Sequence, residues 1–260
     1  MKSYLKIVTI NLCEEFPGSK PGLLNRWIFI LSQVKGDIVF LQEINSYHFE
    51  RLSKELGLEI LNINYKEGTS VLINPNKLIV VGNNEVKLID SHIKPIYIGG
   101  LHLDDIPSLI HHLNNKIYKS NEIIPVSTSM TKILKLCTSH RSPRLKQELA
   151  KAKRYDRAII AGDFNEPSHL DLDNIKVPVS LLFEASGFKD TYFYANEKKN
   201  TNTENGYTWP ASYMYEDEPG QRIDMIYTKK IKCVRSVVYD GSNELKWISD
   251  HKMVISDLEI

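Results

Sequence analysis

Seven polar residues of the kinds that bind metal ions or move protons stand where apolar runs of the chain begin or end. Four of them close early runs and three open later ones; in chain order they are Asn11, Glu43, His102, Asp163, Asp224, Asp250 and His251. If the later strands run antiparallel to the earlier ones, all seven residues lie at the same rim of the sheets. Catalytic and binding residues are usually held at such a rim. The pattern therefore predicts one polar cleft.

The acids and amides of this set indicate chemistry assisted by a hard metal ion. Glu43, Asp250 and the amide of Asn11 are oxygen donors suited to Mg²⁺ or Mn²⁺. Asp163 and Asn165 are two residues apart, so in an extended backbone they would face the same way. One of the two could activate a water molecule while the other orients that water or a phosphate group.

The histidines complete a set that suits phosphate displacement. His251 and His102 can donate hydrogen bonds to phosphate oxygens as negative charge builds in an in-line displacement. Asp224 can hold an imidazole in one tautomer and favour its protonated form. Any one of these residues alone would be read as ordinary surface or turn chemistry. The functional interpretation depends on their recurrence at one rim.

The elements that must position these residues are short strands mixed with helices. Apolar runs predict strands at Leu5–Leu12, 37–41, Glu59–Asn64, 70–74, 78–81, 96–101, 158–162, 223–228, Lys232–Tyr239 and 253–258. Three- and four-residue apolar spacing and turn residues predict helices at Leu23–Val34, Ser46–Leu56, 106–118, 143–153 and 178–186. Many adjacent strand runs favour mixed sheets over a simple parallel one. Without a linker or repeat, residues 1–260 are expected to form one domain.

Composition limits the classes of partner. The chain has 260 residues, 42% of them hydrophobic and 25% charged, with a net charge of +1. This near-neutral total gives no overall footprint for nucleic-acid binding. Cys13, Cys137 and Cys233 are too widely spaced to suggest a zinc site or a disulfide framework. No signal peptide or membrane span is read from the sequence. A cytoplasmic monomer is the default expectation, with signal-less export left open.

The ordered motifs of the chain resemble those of the endonuclease/exonuclease/phosphatase superfamily over essentially its whole length. In order they are TIN (9–11), DIVFLQE (37–43), GGLHL (99–103), GDFN (162–165), GYTW (206–209), RID (222–224) and SDH (249–251). The fold that the resemblance implies is deoxyribonuclease-I-like, a four-layer α/β/β/α sandwich of two packed mixed β-sheets flanked by helices. A bacterial branch marked by GDFNEPSHLD (162–171) is the nearest match, and it leaves the substrate open.

The resemblance also implies roles for individual residues. Glu43 and Asn11 would hold the metal, with Asp250 as a further metal-site or histidine-orienting acid. Asp163 would be the general base and Asn165 a phosphate contact. The remaining expectations are His251 paired with Asp224 at the transition state, His102 as the second histidine of deoxyribonuclease-like members, and Arg144, Thr208 and Arg222 as further substrate contacts. Cys13 stands where some members carry an acidic metal ligand, which puts a second metal in doubt.

The leading functional hypothesis is a Mg²⁺-dependent phosphodiesterase, nuclease-like in character. The order Arg222-Ile-Asp is that of nuclease-like members and argues mildly against a phosphoinositide phosphatase. A phosphomonoesterase and a lipid enzyme, either phosphoinositide phosphatase or sphingomyelinase-like, are the alternatives among enzymes. A catalytically inactive binding module is the alternative of another class, although no expected ligand or base is missing.

Local charge gives a weaker indication of the partner. Between Lys116 and Arg157 there are eleven basic residues and three acidic ones. This surplus could draw an anionic phosphate-ester substrate, including nucleic acid, to the cleft. A solvated helix face is an equally good explanation.

Overall fold

The computed structural model describes residues 3–14, 22–64, 68–89, 91–115, 125, 127–172, 175–196, 206–211, 218–239 and 248–260. The strands within these ranges are β1 (Tyr4–Asn11), β2 (Ile38–Gln42), β3 (Glu59–Asn64), β4 (Thr69–Ile73), β5 (Leu78–Gly82), β6 (Glu85–Leu88), β7 (Ile96–His102), β8 (Arg157–Asp163), β9 (Phe188–Asp190), β10 (Asp224–Lys229), β11 (Lys232–Tyr239) and β12 (Met253–Glu259). The helices are α1 (Leu23–Val34), α2 (Ser46–Leu56), α3 (Leu109–Leu113), α4 (Met130–Ala152), α5 (Pro178–Ala185) and α6 (Thr191–Ala195).

The strands form two six-stranded mixed sheets. One has the order β11-β12-β1-β2-β4-β3 and the other has the order β5-β6-β7-β8-β10-β9. Each contains one parallel pair, β1 with β2 and β7 with β8, among antiparallel neighbours. The last residues of β1, β2, β7 and β8 therefore lie at the same rim as the first residues of the antiparallel strands β10 and β12.

Apolar side chains fill three layers between and outside the sheets. The inner layer joins the two sheets through residues such as Ile7, Phe40, Ile98 and Ile159. A second cluster packs α1 and α2 on the outer face of the first sheet, and a third packs α4 and α5 on the outer face of the second. The fold is thus the four-layer arrangement of two packed mixed sheets that the sequence predicted.

Local sequence signals placed several elements correctly. The bounds of α1, α2, β3 and β11 are those predicted. In α2, the side chain of Asn45 accepts a hydrogen bond from the backbone N–H of His48, and Gly57 ends the helix with a φ of 64°. Side-chain capping and a left-handed glycine are the usual signals at the two ends of a helix.

The predicted start of α4 is wrong. The helix begins at Met130, and Pro143, interpreted as its first turn, lies inside it. The proline removes one backbone hydrogen bond, but buried Arg141 and Leu145 on either side anchor the helix to the fold. Packing therefore outweighs the local signal. The helix expected over 106–118 is confined to Leu109–Leu113 within the described residues.

Three short elements were not predicted: β6, β9 and α6. Each has five residues or fewer, which is too few to show a hydrophobic period. None of the helices in the described ranges is long and apolar enough to cross a membrane.

Candidate active site

Strand register brings the predicted polar residues together. Asn11 pairs with Gln42, the residue before Glu43, in the parallel β1–β2 pair. Across the other sheet Asp163 is the register partner of both His102 and Asp224. The carboxyl ends of the parallel strands and the amino end of β10 thus meet at one rim, as the sequence predicted.

Asp163 lies at the centre of the cluster. It is buried, and its Oδ1 accepts a hydrogen bond of 2.8 Å from the backbone N–H of Asn165. Its Oδ2 accepts one of 3.0 Å from Nδ2 of Asn11. The same oxygen lies 3.9 Å from Nε2 of His102 and 3.9 Å from Nε2 of His251. One carboxylate oxygen therefore faces an amide and two imidazoles.

The surroundings of Asp163 make it easier to protonate than an ordinary carboxyl. Burial, followed by the nearby carboxylate of Asp224, raises the pKa of Asp163 to about 6. His251, His102 and the hydrogen bond from Asn11 act in the opposite direction. A pKa in this range suits a group that accepts and releases a proton near neutral pH.

Asp224 holds His251 in a defined orientation. Its Oδ2 lies 2.9 Å from Nδ1 of His251, so Nε2 is the nitrogen that faces Asp163. The hydroxyl of Ser249 accepts from the backbone N–H of His251 and donates to the carbonyl of Asn11. Burial disfavours the imidazolium, but the Asp224 carboxylate outweighs it and raises the pKa of His251 to about 10.

Glu43 completes a second group of donors on the solvent side. Its φ is 51°, and Oε1 lies 2.8 Å from Nδ2 of Asn11 and 3.3 Å from Nε2 of His102. Ligand atoms of Glu43, His102 and Asp163 all lie within 4.8 Å of one another, and the same holds for Asp163, Asp224 and His251. Both clusters have the spacing of possible metal-binding groups.

The orientation of Asn11 differs from the sequence expectation. Its Oδ1 accepts a hydrogen bond of 2.9 Å from the backbone N–H of Cys13, while Nδ2 donates to Glu43 and Asp163. An oxygen ligand would need Oδ1 to face the carboxylates. In this orientation the Asn11 amide donates to two acids, and its role as a metal ligand stays a prediction.

Asp250 approaches the site from the segment before β12. Its Oδ2 accepts a hydrogen bond of 3.2 Å from Nε1 of Trp209, and its Oδ1 lies 4.0 Å from Nε2 of His251. Within the described residues, Oδ1 is buried and has no hydrogen-bond partner. Burial, followed by the carboxylates of Asp250 and Glu43, raises the pKa of the Cys13 thiol. A buried acid oxygen without a hydrogen-bond donor among the described residues fits a hard divalent cation.

Asn165 is beside Asp163, but the backbone between them is not extended. Asn165 has a φ of 50°, and Nδ2 donates 2.8 Å to the carbonyl of Leu103. Phe164 is buried, as expected. Gly162 has a φ of 150°, and a Cβ there would lie 1.8 Å from the carbonyl oxygen of Leu101. Glycine is therefore required for the close approach of β7 and β8 beneath the site.

Three residues predicted to contact substrate form hydrogen bonds or ion pairs within the protein. Arg222 is buried and forms ion pairs with Asp171 and Asp190 at 2.8 and 2.7 Å. The hydroxyl of buried Thr208 accepts from the backbone N–H groups of Ile223 and Asp224. These contacts fix the start of β10, and neither residue shows a contact that would assign it to substrate.

Arg144 is the third of these residues, and its guanidinium donates to the backbone carbonyl of His102. This contact supports the end of β7 from behind. The predicted substrate contact of Arg144 stays a prediction, and the hydrogen bond places its guanidinium beside the backbone of His102.

The basic segment is not one surface near the site. The C-terminal end of α4, with Lys151, Lys153 and Arg154, lies at the start of β8, whereas Asp163 lies at its end. Seven residues of strand separate the two ends by about 20 Å. Lys151 also pairs with Glu148. Lys116 and Lys119 lie outside the described residues.

Two residues of the site were inside recognised motifs but received no role from the sequence. Trp209 of GYTW donates to Asp250, and Ser249 of SDH links Asn11 to His251. The signal in the sequence was that Trp209 and Ser249 are polar side chains within recognised motifs. Their partners, Asp250, Asn11 and His251, could not be predicted from the local sequence.

Two sheets that meet in a cluster of acids, an amide and imidazoles define a phosphoesterase type of site. The sequence profile of the Endonuclease/Exonuclease/phosphatase family matches residues 11–251, so the chain belongs to this family. Family membership supports a phosphoesterase activity. A comparison with curated proteins finds no match.

Solved structures show the same fold at low sequence identity. An endonuclease/exonuclease/phosphatase from Bacteroides vulgatus has a TM-score of 0.66 and 14% identity, with 100% of each chain covered. A conserved protein of unknown function from Enterococcus faecalis V583 has a TM-score of 0.63 and 16% identity over 98% of this chain and 99% of that one. D. rerio TDP2, complexed with single-strand DNA product, has a TM-score of 0.64 and 15% identity over 99% of this chain and 100% of that one.

Proposed function

We propose that this protein is a divalent-cation-dependent phosphodiesterase that uses Mg²⁺ or Mn²⁺. The observation that carries the proposal is the position of Asp163 Oδ2, which lies 3.0 Å from the Asn11 amide and 3.9 Å from each of two imidazoles. A buried acid with a raised pKa beside an imidazolium is the arrangement that acid–base hydrolysis of an ester requires.

Glu43 and Asp250 are the residues proposed to hold the cation. Both carboxylates interact with the Cys13 thiol, and the buried Oδ1 of Asp250 has no hydrogen-bond donor among the described residues. When bound, the cation supplies Lewis-acid stabilisation of charge on a phosphoryl oxygen. Asn11 is proposed to orient Glu43 and Asp163 by donating to both carboxylates.

The protein's own groups provide the proton transfers. In the proposal, Oδ2 of Asp163 accepts a proton from the water that attacks phosphorus, and Nε2–H of His251 donates to the phosphate as negative charge develops. The P–O bond to the leaving group breaks, and the leaving oxygen takes the proton from Nε2 of His251. Asp224 keeps Nδ1 of His251 protonated and fixes which nitrogen faces the substrate. His102 is proposed to donate through Nε2. One N–H of the Asn165 amide goes to Leu103, which leaves the second for a phosphate oxygen.

A diester is favoured over a monoester by the charge around the site. Arg222 is paired with two carboxylates, so it does not offer its charge to the cleft in the conformation described. A phosphodiester carries one negative charge and a phosphomonoester up to two. The smaller charge needs less compensation. The TDP2 structure with single-strand DNA product makes nucleic acid a reasonable candidate for the diester.

The experiment is an activity panel with metal control. Plasmid DNA, RNA, a bis-aryl phosphodiester, an aryl phosphomonoester, sphingomyelin and phosphoinositides are assayed in EDTA and with added Mg²⁺ or Mn²⁺. Activity on diesters should disappear in EDTA and return with metal, and Glu43→Gln should require more metal for the same rate. Full activity in chelator would contradict the metal assignment.

The same panel separates the alternatives. Phosphate release from the monoester or a lipid head group, without cleavage of any diester, would favour a phosphomonoesterase or lipid enzyme. Binding of a substrate without turnover under all metal conditions would favour an inactive binding module.

A further inference from the structure

A buried histidine outside the proposed catalytic set contacts the tryptophan that holds Asp250. His111 in α3 is 1% exposed. Its Nδ1 lies 2.6 Å from Oγ of Ser108, and its Nε2 lies 2.7 Å from Oε2 of Glu218. The ring centroids of His111 and Trp209 are 5.9 Å apart, at an interplanar angle of 57°. Because both nitrogens are hydrogen-bonded, the imidazole cannot turn without breaking a contact.

Trp209 is in turn tied to two parts of the fold. Its backbone N–H donates to the carbonyl of Gln221 at 3.0 Å, and its carbonyl accepts from Gln221 at 2.7 Å. The indole contacts His111 through its ring and donates to Asp250 through Nε1. With the backbone fixed, the remaining freedom of Trp209 is rotation of its side chain, which the His111 ring restricts.

The indole N–H determines which way the Asp250 carboxylate points. Nε1–H of Trp209 donates to Oδ2 of Asp250, and Oδ1 of Asp250 is the oxygen that lies 4.0 Å from Nε2 of His251. A rotation of the indole would remove the donor from Oδ2 and let the carboxylate turn. Hydrogen bonds behind a metal-binding carboxylate typically change metal affinity 10–100-fold when removed.

We propose that His111 is a positioning residue that tunes the affinity of the site for its divalent cation, acting on Asp250 through Trp209. The inference rests on the proposed function, in which Asp250 holds the cation. It also assigns a role to the segment after β7: Ser108 and His111 belong to it, and with Glu218 they hold the ring against the indole.

The test measures the Kd of Mn²⁺ directly, by isothermal titration calorimetry on the full chain. His111→Phe keeps a ring of similar size but loses both hydrogen bonds, and it should raise the Kd about tenfold. Saturating Mn²⁺ should restore most of the turnover on a bis-aryl phosphodiester, because no ligand has been removed. His112→Phe is the matched control, one residue along the same helix, and should leave the Kd unchanged.

Two further comparisons distinguish positioning from general destabilisation. Glu218→Ala removes the acceptor from a partly exposed side chain and should also raise the Kd, whereas Glu218→Gln keeps a hydrogen-bonding group and should restore it. In a Trp209→Phe background, which lacks the indole N–H, His111→Phe should have no further effect on the Kd. An equal rise for Glu218→Gln and Glu218→Ala would indicate a long-range charge effect and overturn the inference.

Asp250→Asn separates failure of this inference from failure of the proposed function. If Asp250→Asn weakens Mn²⁺ binding but His111→Phe and Glu218→Ala do not, the proposed cation site stands and the role of His111 is wrong. If Asp250→Asn leaves the Kd unchanged, Asp250 does not hold the cation, and both the assignment and this inference fail.

Discussion

At the residue scale, the proposed mechanism depends on two titratable groups whose pKa values are shifted into complementary ranges. Burial and Asp224 raise the pKa of Asp163 to about 6, and Asp224 raises that of His251 to about 10 against the effect of burial. Between these values the carboxylate can accept a proton while the imidazolium can donate one. Pairs of groups with separated pKa values are how acid and base roles are divided in one site.

The acid and base assignments predict large effects on turnover. Asp163→Asn and His251→Ala should each lower kcat on a responsive diester by on the order of a hundredfold or more, because each loses a proton-transfer or charge-stabilising group. KM should change much less. Steady-state kinetics at saturating Mn²⁺, with circular dichroism as a check on folding, measures this. Near-normal kcat in either variant would move the chemistry to other residues.

The Asp224–His251 pair should also appear in the dependence of stability on pH. The pKa of His251 is about 10 in the folded protein against an ordinary 6.5. The stabilisation by Asp224 is therefore complete below about pH 6.5 and is lost as the pH rises through 10. In EDTA, Asp224→Asn should lower Tm by several °C at pH 6. For a domain of this size, each kcal/mol of lost stability lowers Tm by about 2–4 °C.

The gap in Tm between wild type and Asp224→Asn should close as the pH approaches 10. Differential scanning fluorimetry from pH 6 to pH 10 measures the gap, and lysines and tyrosines common to both proteins cancel in the comparison. A difference that is constant across this range would show that the pair does not hold a proton on His251.

At the element scale, α4 is anchored to the site by one fully buried arginine. Arg141 donates to the carbonyls of Asp104, Asp105 and Pro107 and pairs with buried Glu166 at 3.2 Å. Glu166 in turn accepts from the backbone N–H of Val179 at the start of α5. These contacts join α4, the segment after β7 and the segment after Asp163, so one side chain stabilises two of the strand ends that form the site.

Loss of Arg141 should therefore be costly. Arg141→Met leaves a buried carboxylate and three backbone carbonyls, one of them buried, without their donor, and should lower the free energy of unfolding by about 3–5 kcal/mol. Urea denaturation measures the change. Arg51→Met is the matched control, because Arg51 forms a solvent-exposed pair with Glu55. Its cost should be below about 1 kcal/mol. Equal costs for the two variants would contradict the anchoring role.

At the scale of the whole molecule, the site exists only where the two sheets meet. Asn11 from one sheet donates to Asp163 of the other, 152 residues away in the chain. His251, which precedes the last strand of the first sheet, contacts Asp224 in the second. The inner apolar layer brings these ends together, so separation of the sheets would disassemble the catalytic cluster before either sheet unfolds.

The charge distribution of the whole molecule predicts little steering from the end of α4. Lys151, Lys153 and Arg154 lie at the rim opposite Asp163. Their combined replacement by glutamine should change kcat/KM on single-stranded DNA no more than on a small aryl diester, within about twofold at about 0.15 M ionic strength, since the Debye length of ~8 Å there is shorter than the separation. A loss of kcat/KM on single-stranded DNA alone would indicate that the DNA strand passes over this end of α4.

The sequence by itself determined the architecture and the membership of the site. Apolar β-branched runs bounded by turn residues predicted strands in mixed sheets, and the resemblance of the ordered motifs implied two packed sheets. The ends of those strands predicted that Asn11, Glu43, His102, Asp163, Asp224 and His251 converge, and the structure brings them together. Which residues lie at the rim depends on the direction of each strand. The early motifs end their strands and the late motifs begin theirs, so all of them share one rim if the late strands run in the opposite direction.

Only the tertiary structure decided what each side chain does at that rim. Arg222 and Thr208 belong to sequence motifs of the site, yet both side chains are buried in the protein. The partners of Arg222 are Asp171 and Asp190, 51 and 32 residues away. Whether an arginine faces substrate or an internal acid depends on such distant contacts, which a local pattern does not contain. The same holds for the turned amide of Asn11 and for His111, whose connection to Asp250 arises from packing alone.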